Sequence, residues 1–314
     1  MLSAPAPAAA PPVARGAWLA LAVVLGAAFM SLLDTTIVNV ALPTIRTSLD
    51  ASESTLSWII SGYALAFGLA LIPAGRLGDR YGHKWVFITG LALFTAASLA
   101  CGLAQNDLQL ILARVVQGLG GGIFFPAVSA FIQLLFPPMA RGRAFAILGA
   151  VIGVSSALGP LVGGLIIQAL GDETGWRWIF AVNLPIGVIV LVAAIALLPS
   201  EAAGKATSND LIGLVLLSGA LVALLVPLIQ GQEEGWPLWT YLSIGGGVLL
   251  VVLFALWERS VASRGKDPLV PPRLFAHAQF AAGTILALVF FAAFTSIFFT
   301  ISLLWQAGLG HTAL

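Results

Sequence analysis

Two ionisable side chains sit inside long apolar stretches: Asp34 within Ala17 to Leu42, toward its outer side, and Arg114 in the outer half of Leu108 to Phe131. On insertion scales each costs about 2.5 to 3.5 kcal/mol at the centre of a lone membrane helix, so each must face protein or water. A carboxylate at depth that gains and loses a proton, beside a guanidinium that biases its charge, is chemistry for coupling proton movement to a second solute. A structural ion pair locking two helices is the competing reading. Helical spacing puts Arg114 on one stripe with Gln117 or Gly118, Gly121 and Phe125. Gly118, Gly120, Gly121 and Gly122 would each weaken a helix by about 1 kcal/mol, which implies backbone contact or local bending. A nucleotide-binding glycine loop is disfavoured, because no strand precedes the run and no lysine followed by serine or threonine comes after it.

Two further segments carry patterned residues. Gly75-Arg76-Leu77-Gly78-Asp79-Arg80-Tyr81-Gly82-His83-Lys84 reads as a loop between two apolar runs, with Gly78 and Gly82 allowing a tight reversal. Asp79 then suits the positive N-terminal end of a helix, and the basic residues suit the cytoplasm. A plain charged turn has the same composition. Farther on, Gly149, Gly153, Ser156, Pro160 and Gly163 or Gly164 recur at three- and four-residue steps. They form a flat small-residue face, with Pro160 expected to kink the helix and free a carbonyl near Ser156. Close static packing and rocking against a partner helix both require such a face.

The elements that must position these residues follow from composition. Of 314 residues, 60% are hydrophobic and 9% charged, with a mean hydropathy of +1.03. Soluble domains carry about 25% charged residues, so this chain belongs in a bilayer. A net charge of +1 offers no basic field for nucleic acid. The single cysteine, Cys101, excludes an intrachain disulfide and thiolate metal sites, and His83, His277 and His311 lie far apart and outside the apolar runs. No cofactor is expected. An intramembrane enzyme would need a serine-histidine or similar pair at depth, and no histidine lies there, so the chain does not read as an enzyme.

Nine apolar runs are long enough to span: Ala17 to Leu42, Leu56 to Ala74, Trp85 to Ala104, Leu108 to Phe131, Ala144 to Leu170, Trp178 to Leu198, Leu211 to Ile229, Leu238 to Trp257 and Phe280 to Trp305. Residues 1–16 form an Ala/Pro-rich tail expected to be disordered. An inner linker, Pro199 to Asp210, and a longer inner loop, Glu258 to Gln279, separate the later runs. With the N-terminus in the cytoplasm, Arg15, Arg76, Arg80, Lys84, Arg141, Arg143, Lys205, Arg259, Arg264, Lys266 and Arg273 fall inside, and only Arg46 and Arg177 outside. This is the positive-inside bias. All nine tryptophans lie near run ends, as an interfacial belt requires.

These residues together resemble the major facilitator superfamily, and within it the fourteen-spanner drug/proton antiporters. Leu33-Asp34-Thr35-Thr36-Ile37-Val38-Asn39-Val40-Ala41-Leu42-Pro43 resembles that family's signature. Gly75 to Lys84 is similar to motif A, with His83 where arginine is commoner. Arg114, Gln117, Gly118 and Gly120 to Gly122 resemble motif B. Gly149, Gly153, Gly159-Pro160 and Gly163-Gly164 resemble motif C, the mark of exporters, and Trp176 to Pro185 resembles the start of the family's sixth span.

The resemblance implies an all-α membrane protein: an N-terminal six-helix bundle over 17–198, a linker and two extra helices over 199–257, and over 258–314 a cytoplasmic loop with the first helix of a second bundle. It implies proton coupling at Asp34, tuned by Arg114, and a cytoplasmic latch containing Gly75, Gly78, Asp79, Arg80, Gly82 and Lys84. The motif C face would pack one bundle on the other. The implied activity is proton-driven efflux of apolar or amphiphilic, often cationic, drugs or secondary metabolites from the cytoplasm of a bacterium, across its inner membrane. Alternatives are a proton symporter or uniporter of a small nutrient, or a non-transporting membrane scaffold. A periplasmic adaptor accompanies some relatives, though no feature demands one here. Fourteen spans against nine further implies C-terminal truncation, a chain that does not complete alternating access alone, and a motif C face left exposed.

Overall fold

The computed structural model describes residues 14–171, 173–200, 210–231 and 234–303, and these hold helices with no strand among them. In chain order they are α1 (Arg15–Leu49), α2 (Glu53–Tyr81), α3 (His83–Leu103), α4 (Asp107–Leu135), α5 (Pro138–Leu170), α6 (Gly175–Ala181), α7 (Asn183–Leu197), α8 (Leu211–Gln230), α9 (Leu238–Ser263) and α10 (Ala278–Leu303). Eight stretches among the described residues are long and apolar enough to cross a membrane: α1 to α5, α6 with α7 as one, α8 and α9. The ninth expected run falls on α10, and its end, Trp305, lies outside the described residues, as do most of the tail and residues 201–209 of the inner linker.

Local chemistry explains the boundaries. Ser52 Oγ accepts from Thr55 N (3.1 Å) at the start of α2, and Asn106 Oδ1 accepts from Gln109 N (2.9 Å) at the start of α4. Each satisfies an amide that a helix start leaves unpaired. The α6–α7 break comes where Pro185 offers no N–H to the Ala181 carbonyl one turn earlier. Val182 nevertheless keeps helical dihedrals (φ −57°, ψ −32°), so the two helices act as a single span.

The chain divides into two compact units, one of Met1–Thr207 with Ser218–Leu249, the other of Ser208–Leu217 with Leu250–Leu314. In the first, α4 is the central element, packed between α2 and α3, while α1 lies against α5 and α7. The apolar core includes Met30, Phe87, Phe94, Phe124 and Phe131, all fully buried. Ser243 Oγ donates to the Ala223 carbonyl (2.9 Å), tying α9 to α8. In the second unit Trp257 Nε1 donates to Asp210 Oδ1 (2.8 Å), and Val270 N donates to Glu258 Oε2 (2.6 Å). Glu258, expected at the head of a water-facing loop, is instead a buried residue of α9, because that helix continues to Ser263.

Three other expectations change. The segment from Gly75 is not a loop: α2 runs through Tyr81 and α3 starts at His83, so Gly82 alone makes the reversal, at φ +90°. Charged side chains at a helix end reach water without unwinding the backbone. The small-residue face of α5 splits in two. Gly149, Gly153, Ser156 and Pro160 are exposed, whereas Gly159 and Gly163 are buried against Thr36 and Ile37 of α1. Adjacent residues point about 100° apart around a helix, so Gly159 and Pro160 serve different neighbours. Trp176, assigned to an interfacial belt, is fully buried against Phe180 instead.

Candidate functional site

Asp34, at mid-length on α1, is fully buried. Arg114, three residues before Gln117 on α4, donates from NH1 to Asp34 Oδ2 (2.5 Å) and to Gln117 Oε1 (2.8 Å). Its Nε donates to the Ile59 carbonyl on α2 (3.2 Å), and its guanidinium lies 4.0 Å from the centroid of the Tyr63 ring. The aromatic face and the carboxylate together replace water around this cation. Tyr63 is anchored in turn by a hydrogen bond between its hydroxyl and Ser31 Oγ (3.1 Å).

The second carboxylate oxygen, Asp34 Oδ1, accepts from Gln117 Nε2 (2.8 Å) and from Asn183 Nδ2 (2.7 Å). Asn183 opens α7, and its Nδ2 also donates to Ser98 Oγ on α3 (3.0 Å). Ser98 Oγ donates onward to the Phe180 carbonyl on α6 (2.9 Å). The Cys101 thiol donates to Gln117 Oε1 (3.4 Å). Five helices beside α1 thus contribute to one buried polar cluster, and every one of its side chains is at most 3% exposed. Asp34 thus accepts three hydrogen bonds, one on Oδ2 and two on Oδ1, with no water-facing side.

The glycines of α4 make this convergence geometrically possible. A Cβ at Gly118 or Gly122 would collide with the Tyr63 or Phe67 carbonyl of α2, and one at Gly120 would stand 2.5 Å from Phe94 N of α3. Backbone contact on two sides, rather than bending, is what the glycine run provides.

The expected latch residues gather at the other end of α2. Gly78 is buried, and a Cβ there would stand 2.8 Å from the His83 ring. Asp79 is largely exposed, with Oδ1 3.5 Å from His83 Nε2, and Arg80 lies over the Tyr81 ring at 5.1 Å. Gly75, Asp79 and His83 line a depression of about 520 Å³ with Gln133 and Arg141. Lys84 is occupied elsewhere: its Nζ donates to the Ile195 and Leu198 carbonyls at the end of α7 (2.8 and 2.7 Å).

Sequence reasoning joined Asp34 to Arg114 and put Gln117 on the same stripe. It missed Asn183 and Ser98 as partners of the carboxylate. The available signal was an amide and a hydroxyl each standing within or beside an apolar run, where an unpaired polar group is costly.

Among the described residues no group of three or more potential metal ligands occurs. A profile described as the Major Facilitator Superfamily matches residues 24–314. The chain is 41% identical over 305 residues to a "Probable actinorhodin transporter" of Streptomyces coelicolor, an alignment covering 97% of this chain and 53% of the relative. It is 38% identical to a "Tetracenomycin C resistance and export protein" of Streptomyces glaucescens (90% and 52% covered) and 36% identical to a "Methylenomycin A resistance protein" of Bacillus subtilis (89% and 59% covered). The chain therefore spans about half the length of the curated relatives it matches. Among solved structures, the fold is similar to the proton:xylose symporter XylE, with a TM-score of 0.53, 14% identity, and 81% of this chain and 57% of that one covered. A peptide transporter, POT, gives a TM-score of 0.56 at 20% identity, covering 77% and 52%.

Proposed function

The chain belongs to the major facilitator superfamily, and on that premise we propose that it forms the proton-handling part of an exporter of apolar or amphiphilic antibiotics or related metabolites. The observation that carries the reading is Asp34: a fully buried carboxylate whose three donors come from α4 and α7 and whose Arg114 partner supplies the countercharge. Resistance and export proteins among the relatives support the substrate class.

In this reading the substrate is taken up from the cytoplasmic side while Asp34 is ionised. Protonation of Asp34 from outside removes the charge that faces Arg114, and the altered cluster favours the alternative packing of the helices around it. The gradient supplies the drive without a cofactor: each charge crossing the membrane is worth about 2.3 kcal/mol per 100 mV. The N-terminus lies in the cytoplasm of a bacterial inner membrane, with Asp79, Arg80 and His83 at the inner face as part of a latch. The open Gly149, Gly153, Ser156 and Pro160 face of α5 meets further helices of the exporter.

The test is Asp34→Asn, assayed in inside-out vesicles with a fluorescent cationic amphiphile. The variant is expected to reach the membrane in normal amount and to lose proton-driven accumulation. Undiminished accumulation would overturn the assignment.

A further inference from the structure

Any residue that carries a proton while buried must be served in both of its states. As a carboxylate Asp34 needs donors, and as an acid it needs an acceptor for its new O–H. Its three present partners differ in their ability to supply one. Arg114 has no acceptor at all. Gln117 is held at both ends, since its Oε1 already accepts from Arg114 NH1 and from the Cys101 thiol while its Nε2 donates to Asp34. Turning that amide over would set N–H against N–H. Asn183 is different: both hydrogens of Nδ2 are used, on Asp34 Oδ1 and Ser98 Oγ, yet among the described residues no donor reaches its Oδ1. Ser98 is equally adaptable, because a hydroxyl rotates and its proton now rests on the Phe180 carbonyl.

We propose that Asn183 is the positioning residue that lets Asp34 change protonation state, by reversing its side-chain amide so that Oδ1 replaces Nδ2 against the carboxyl. The step balances simply. A hydronium ion on the outer side gives its proton to Asp34 Oδ1 and leaves water, and with Asn183 Nδ2 turned away the amide hydrogen bond that remains on this oxygen is that of Gln117. The new Asp34 O–H donates to Asn183 Oδ1. Ser98 swings its proton from the Phe180 carbonyl to the same Asn183 oxygen, leaving that carbonyl free. Asp34 Oδ2 and Arg114 are not required to part for this first step. The charged and titratable groups around Asp34 are Arg114 on α4, Tyr63 on α2 and Cys101 on α3; within the described residues α5, α6 and α7 add uncharged groups only to its hydrogen-bonding shell.

Position makes the reversal consequential. Asn183 is the first residue of α7 and Phe180 lies in the last turn of α6, so the two groups that change partners flank the break at Val182. Ser98 also lines a groove of about 260 Å³ between α3 and α6, beside Gly102, Arg177 and Trp178 at the end expected to face outside. Ser98 therefore belongs both to the wall of this groove and to the partners of the buried amide.

The inference rests on the reading of Asp34 as the proton carrier, and infrared difference spectroscopy separates the two. The 314-residue chain, reconstituted in liposomes with side-chain-labelled asparagine, is titrated while the Asp34 acid band and the Asn183 amide band are followed. Asp34→Ala and Asn183→Ser assign the two bands. The expected result is an Asn183 band that shifts with the same pH midpoint as Asp34 protonation, and an Asp34 acid band whose midpoint is displaced in the Asn183→Leu protein. A static Asn183 band across an Asp34 titration overturns this inference and leaves the proton-carrier reading standing. An Asp34 that takes up no proton overturns both. Because the two midpoints are compared on unsubstituted protein, a folding defect in Asn183→Leu does not blunt that comparison.

Discussion

Arg114 and Asp34 are each enclosed by protein, and neither has water to fall back on. Removing one partner of such a pair leaves the other as an uncompensated buried charge, at a cost of about 3–5 kcal/mol. Arg114→Ala is therefore expected to destabilise the chain by about that much in detergent, measured by denaturant unfolding, because Asp34 would keep only two neutral amide donors. Asp34→Ala with Arg114→Ala together should cost less than the two single changes added, since the pair disappears as a unit. Simple additivity would show that the contact carries no coupling. Arg114→Lys is not a conservative change either: an ammonium lacks the Nε donor to the Ile59 carbonyl and the flat face that lies on Tyr63. At this scale the sequence was informative about the two charges, because a lone ionisable residue in twenty apolar ones is a local signal. It said nothing of Asn183 touching Asp34, a contact made across 149 positions of chain.

Among the helices, glycine has two distinct uses that spacing alone could not separate. Gly118 and Gly122 let α4 rest directly on α2, while Gly149 and Gly153 meet nothing within 4 Å. Gly118→Ala and Gly122→Ala should therefore lower the thermal unfolding midpoint sharply, since the added methyl collides with backbone that cannot yield. Gly149→Ala and Gly153→Ala should raise it slightly, by the equivalent of about 0.5–1 kcal/mol of helix propensity each. Equal effects in both pairs would sink this division. Gly159 and Gly163, on the same helix but facing α1, should behave like the first pair. The charged end of α2 makes a related point. Glycine and charge there suggested a loop, yet helix runs to Tyr81 because its polar residues occupy a helix end where solvent is in reach, and Gly82 suffices for the reversal.

For the whole molecule, the two ends of the first unit differ in chemistry. At one, Arg143 lies 5.2 Å over Trp18, Arg141 donates to the Phe136 and Gln133 carbonyls, and Lys84 closes α7. At the other, Arg46 pairs with Glu53, Thr55 meets Asp107, and Arg177 donates to the Gly102 and Ala104 carbonyls. Cysteine labelling tests which end faces the cytoplasm, with little background because Cys101 is fully buried. A membrane-impermeant maleimide on intact cells should modify Glu173→Cys and spare Met139→Cys, and inverted vesicles should reverse the pattern; the opposite result would mean an N-terminus outside. Each apolar run and each motif is read over about twenty residues or fewer, and their order along the chain needs no folding, so the amino-acid order determined the spans, the family and the presence of Asp34 and Arg114 at depth. How far each helix is turned about its own axis depends on the neighbours it packs against. Only the tertiary structure therefore decided that Asn183 and Ser98 complete the cluster around Asp34, and that the glycines of α5 divide between a partner already in place and a face left open.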